Sequence, residues 1–135
     1  ELMCPKSEWR ERMRELIATS AGVVDHGRVG QRELLLAKAR ADLHYYVTTW
    51  PEIDCIAVRE SAMVGTVPLT SAGGVFGEKE YCVRVKGDPR EAAMQREAAR
   101  VAIDLVKKGV RAERTAALEA ETWEAVSKRW LGFVL

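Results

Sequence analysis

Cysteine and histidine are scarce in this sequence, with three and two copies. Cys4, Cys55 and Cys82 are odd in number and far apart, which argues against a disulfide framework and for reduced thiols in a cytoplasmic setting. His26 and His44 stand alone, without a CxxC or HExxH pattern, so no metal site and no cofactor are expected. No run approaches the roughly 18–20 apolar residues of a membrane span, and no membrane contact is expected. The first residues lack a basic-then-apolar signal segment, and Met3 reads as a natural start behind two extra residues. Charge of one sign is also missing. The net charge is +1, so nucleic-acid binding would need a local basic patch rather than a general positive excess. Without repeats, low-complexity tracts or long linkers, residues 1–135 read as one domain.

What is present is an ordinary globular composition. Apolar residues make up 47% and charged residues 30%, enough to build a core and too apolar for intrinsic disorder. Trp9, Met13, Leu16 and Ile17 recur at helical spacing, predicting a helix over 7–20 with Ser7 as its N-cap. Residues 21–30 read as a glycine-containing loop. Leu36, Ala39, Leu43, Tyr46 and Trp50 step by three and four, predicting a second helix over 31–49, stopped by Pro51, with Trp50 in the core. The apolar run 53–58 and residues 63–69 read as strands, the second weakened by Gly65 and Pro68. Ser71–Gly74 reads as a turn. Over 81–86, Tyr81, Val83 and Val85 alternate with Cys82, Arg84 and Lys86, a strand signal. Asp88-Pro89-Arg90-Glu91 is helix-start chemistry. The helix that follows ends at Gly109 after Lys107 and Lys108. A last helix is expected over about 112–131, with Ala116, Trp123, Val126 and Trp130 on one face.

The fold expected from this order is α+β, with two N-terminal helices, a small three-stranded and mostly antiparallel sheet, and two C-terminal helices.

Candidate chemistry is sparse. Ser61, Cys55 and Cys82 are nucleophiles by type, and His26 or His44 would be the base, but no spacing selects a pair. Asp54 and Lys86 resemble part of a metal-dependent nuclease core, in which carboxylates hold a divalent ion and a lysine steadies the phosphate. Arg84 stands where the second carboxylate would be. Gly73, Gly74 and Gly87 fit no phosphate-loop pattern. Arg84, Lys86, Arg96 and Arg100 form the most usable basic set, extended by Lys107, Lys108, Arg111 and Arg114 and interleaved with Glu97, Asp104 and Glu113. Trp123, Val126, Trp130 and Phe133 form an apolar surface suited to a homodimer contact.

Two family resemblances follow from these segments. Residues 83–106, VRVKGDPREAAMQREAARVAIDLV, are similar to the closing strand and helix of the CinA C-terminal (nicotinamide-nucleotide amidase) family. Ala57-Val58-Arg59-Glu60-Ser61 resembles that family's serine motif, although Ala62-Met63-Val64-Gly65 replace its threonine and paired glycines. The same block resembles the end of a double-stranded-RNA-binding domain, with Asp88-Pro89-Arg90-Glu91 in place of the lysine-rich helix start. The function expected is a non-enzymatic binding or assembly module, self-associating, with nucleic acid contacted through the basic strand and helix. The alternative is a small hydrolase or metal-dependent nuclease using Asp54, Lys86 or Ser61.

Overall fold

The computed structural model describes residues 6–134, so Cys4 and Met3 lie outside the described residues. The chain divides into two units, 1–30 and 31–135. In the first, helix α1 (Lys6–Thr19) begins ahead of Ser7, which therefore does not cap it. Trp9, Met13 and Leu16 are exposed. The loop after α1 holds Gly22 and Gly27 at positive φ, and the Asp25 carboxylate accepts from the Gly27 amide at 2.8 Å.

The second unit runs α2 (Gln31–Arg40), β1 (Leu43–Tyr46), α3 (Ile56–Met63), β2 (Val67–Ser71), a 3-10 turn (Gly74–Gly77), β3 (Val83–Val85), α4 (Ala92–Lys108), α5 (Ala116–Glu119) and α6 (Trp123–Val134). The sheet has order β1-β2-β3 and both pairings are parallel. Helix and strand coexist as expected, but the antiparallel sheet does not form. Nor do the helices fall into an N-terminal and a C-terminal pair, because α3 crosses between β1 and β2. The reason lies in the connections. Parallel neighbours need a crossover long enough to carry the chain back to the same end. The segment after Ser71 is no tight turn. It carries the 3-10 turn and continues to Lys79–Tyr81 before β3 begins.

Three local readings change accordingly. Residues 31–49 split into α2 and β1, since the His-Tyr-Tyr-Val-Thr-Thr stretch has β-type residues whose spacing fits both periods. The run from Ile53 is not a strand. From Ile56 onward it is helical, and Val58, Ser61 and Ala62 are its buried face at i, i+3 and i+4. The final helix breaks in two because Thr115 caps α5, accepting from Leu118 N at 3.1 Å, and Thr122 accepts from Ala125 N at 3.2 Å to start α6.

The sheet is covered on both faces. Leu69, Val85, Met94 and Ala98 form one core, with Leu43, Val47, Val83, Val101, Ala102 and Leu105 packed against it. This is the α4 side, and Val83 and Val85 share it as the alternation predicted. The other core joins Val58, Phe76 and Cys82 to Tyr46, Cys55, Val75 and Tyr81. β2, in the middle, is buried throughout, the expected state of a parallel central strand. Pro68 sits opposite His44, one residue before the β2–β3 ladder starts at Leu69, so its missing donor costs no bond to β3.

Arginines close the helix ends. Arg111 donates to the Ala41 and Ala39 carbonyls at 2.9 and 3.1 Å, and Arg114 to the Met63 carbonyl at 3.3 Å. They satisfy carbonyls that α2 and α3 leave unpaired. Gly109 ends α4 at φ 62°, as its position predicted. Asp88 does not cap that helix. Its carboxylate takes the Arg90 amide at 3.0 Å and the Arg90 guanidinium at 2.7 Å, which folds residues 88–91 into a turn and delays α4 to Ala92.

Candidate functional site

All three strands run the same way, so their carboxyl ends open on one edge of the sheet. There the segments after β1, β2 and β3 enclose a cleft of about 260 Å³. The first supplies Thr48, Thr49, Trp50 and Pro51, the second Ser71, Gly73 and Gly74, and the third Gly87 to Arg90.

The cleft is held by its own backbone. Ser71 Oγ donates to the Thr48 carbonyl at 2.8 Å, tying the first two segments together. Thr48 Oγ1 accepts the Trp50 amide at 3.0 Å and sets the bend before Pro51. Val75 N donates to the Glu52 carbonyl at 2.9 Å. Gly74 sits at φ 59°, and a Cβ there would stand 2.6 Å from that same carbonyl oxygen. Only glycine fits this approach. Among the described residues the amides of Gly73 and Gly74 have no protein acceptor.

The electrostatics are specific. Arg90 holds the Asp88 carboxyl down to about 2, first through its side chain and then through its amide. Asp88 is therefore ionised at any ordinary pH, a hydrogen-bond acceptor and not a proton donor. Beside the cleft, the Tyr46 hydroxyl donates to Glu52 Oε1 at 2.6 Å. That bond and burial push the phenol well above its ordinary pKa. Trp50 is 69% exposed, so the core placement expected from its spacing does not hold. Trp50 is instead one of the residues lining the cleft.

The residues singled out from the sequence are scattered by comparison. Ser61 and His44 do meet, with Oγ 2.7 Å from Nδ1. Ser61 is fully buried and also donates to the Ala57 carbonyl at 3.0 Å, so this contact pins α3 to β1. Asp54 pairs with Arg59 at 3.3 Å. Lys86 lines a separate recess with Arg84. Arg96 and Arg100 lie on the exposed side of α4, which packs on the opposite sheet face from Arg84. Arg100 is engaged by Glu97 at 2.6 Å and Asp104 at 2.9 Å. Trp123, Trp130 and Phe133 are exposed and Val126 is half-buried. Cys82 is buried, and burial raises its thiol to about 11, which suits a packing role. Among the described residues, no group of three or more His, Cys, Asp and Glu could hold a metal ion.

Thr48, Thr49, Trp50 and Gly74 were missed as a site. A Thr-Thr-Trp-Pro segment and a Gly-Gly pair are visible in the sequence, but only parallel strands bring them to one edge. No family model, curated protein or solved structure matches the chain.

Proposed function

We propose that the chain is a binding domain whose cleft at the carboxyl edge of the sheet takes a small phosphorylated, hydroxyl-bearing ligand of the nucleotide or sugar-phosphate class. The observation that carries this reading is convergence: the segments after all three parallel strands meet in one recess. In open parallel sheets the carboxyl ends of the strands are the usual side for a ligand, and here three segments rather than a reversal of strand order form the recess. The chemistry of the lining fits the class. Gly73 and Gly74 offer amides to anionic oxygens. Ionised Asp88 and the Thr48, Thr49 and Ser71 hydroxyls suit ligand hydroxyls. The exposed indole of Trp50 suits a flat face.

The test is calorimetric titration of the chain with adenosine diphosphate and with glucose 1-phosphate, repeated on Trp50→Ala. Stacking on one aromatic contributes about 1–3 kcal/mol, so the variant should bind at least fivefold more weakly while staying folded, because Trp50 is exposed. No heat from either compound at millimolar concentration overturns the reading.

A second reading is self-association through α6. The observation behind it is the exposure of Trp123, Trp130 and Phe133 at 70, 71 and 90%, a surface of the kind that favours a partner.

A further inference from the structure

The structure carries a second recess, beyond the cleft, with a different electrostatic character. It has a volume of about 520 Å³ and is lined by Ala72, Gly77, Cys82, Arg84 and Lys86. Its only charged groups are two cations. Arg84 lies in β3 and Lys86 is one residue past its end, and both line the recess. Both are exposed.

Two features mark this pair. First, neither makes an ion pair among the described residues, a state shared with exposed cations such as Arg96, Lys107 and Lys108, but here two such cations line one recess that no carboxylate lines. Second, Arg84 is already oriented. Its Nη1 donates to the Gly77 carbonyl at 2.6 Å, which holds the planar guanidinium in the recess and leaves its other donors for a ligand. A polar group lies on the neighbouring strand, outside the lining itself. The hydroxyl of Thr70, the register partner of Arg84, is fully buried without a hydrogen-bond partner. It lies close enough to Cys82 to act on its thiol, although the contact is not a formed hydrogen bond.

Two like charges held together without compensation repel, and an anion between them removes that cost. We infer that the Arg84–Lys86 recess is a binding site for a phosphoryl group of a small molecule. The guanidinium supplies a forked contact and the ammonium a point charge. The inference does not rest on the cleft reading. The recess and the cleft are lined by different residues of the same two loops, Ala72 and Gly77 here, Ser71, Gly73 and Gly74 there.

Calorimetric titration of the full chain with inorganic pyrophosphate tests it. The expected result is one saturable site whose affinity falls with added salt. Lys86→Gln should weaken it at least tenfold, and Arg84→Gln with Lys86→Gln should abolish it. Trp50→Ala should leave it unchanged, and the loss in Lys86→Gln is what separates this site from the cleft, which Lys86 does not line. Lys86 makes no hydrogen bond among the described residues, so the single variant keeps the fold if the double variant does not. Absence of binding, or binding that survives Lys86→Gln, overturns the inference. So does loss in Trp50→Ala, which places the anion in the cleft. A short oligonucleotide that binds more tightly than pyrophosphate and is weakened by Arg96→Gln and Arg100→Gln also overturns it, since that result describes an extended basic surface.

Discussion

His44 shows how one residue's surroundings set its behaviour. Burial first, and then the charge of Lys38, lower its pKa from the ordinary 6.5. Lys38 is held there by Glu60 at 2.8 Å. The neutral ring stays bonded to Ser61 and ties β1 to α3. Below pH 6.5 the unfolded chain takes up a proton that the folded chain still refuses. Stability therefore falls as pH drops from 6.5 toward the folded-state pKa and levels out beneath it. Denaturant midpoints across this range should decline more in the natural chain than in His44→Asn, which has no imidazole to titrate. Equal slopes would mean that His44 is no more buried than in the unfolded state. Ser61 was legible in the sequence as a nucleophile by type, and His44 as a base. Their meeting, and the burial that closes the hydroxyl off, depend on a crossover that no spacing announces.

At the scale of elements, two short pieces test the architecture. α5 has four residues and exists because Thr115 caps it and Leu118, fully buried, anchors it. Thr115→Ala should cost about 1 kcal/mol, the usual loss for an N-cap. Leu118→Ala should cost about 2–5 kcal/mol, the range for a buried leucine. Chemical denaturation measures both, and a negligible change for Leu118→Ala would contradict its place in the core. α4 is the opposite case. Its inner stripe, with Met94 and Ala98 buried and Val101 and Leu105 half-buried, its terminal lysines and its glycine stop could all be read directly. Only its first turn could not, because Asp88 bonds Arg90 in place of the helix amides. Residues 43–46, expected in a helix, and 56–58, expected in a strand, differ from expectation for a shared reason. Short apolar stretches fit either period, and tertiary partners choose between them.

For the whole molecule, the four tryptophans make a direct test. Trp9, Trp50, Trp123 and Trp130 are 56, 69, 70 and 71% exposed. Native emission should be red-shifted, readily quenched by iodide and little changed by unfolding. A blue-shifted native spectrum would show that a partner or a second copy covers part of this surface. Sedimentation equilibrium addresses α6 directly. Under the self-association reading the intact chain is dimeric at micromolar concentration, and Trp123→Ala with Trp130→Ala gives a folded monomer. A monomeric intact chain removes that reading. α6 is itself secured at its first turn. Glu121, just ahead of it, accepts from Tyr81 Oη at 3.1 Å and pairs with Lys79 and with Arg59 at 3.6 Å, and Arg59 lies 5.8 Å from the Trp123 ring centre. The double variant therefore loses exposed surface and one cation–π contact, which leaves the monomer able to fold.

Local residue order sets the mixture of helix and strand, the body and stop of α4, the alternation of Val83 and Val85 with Arg84, and the apolar surface of α6. Each of these is local, set by a repeat or by residues a few positions apart. Tertiary structure decided the direction of the strands, the helical state of Ile56–Met63, the exposure of Trp50 and the cleft itself. Strand direction depends on what crosses between strands. The cleft draws on residues from Thr48 to Arg90 that become neighbours only when three parallel strands end on one edge.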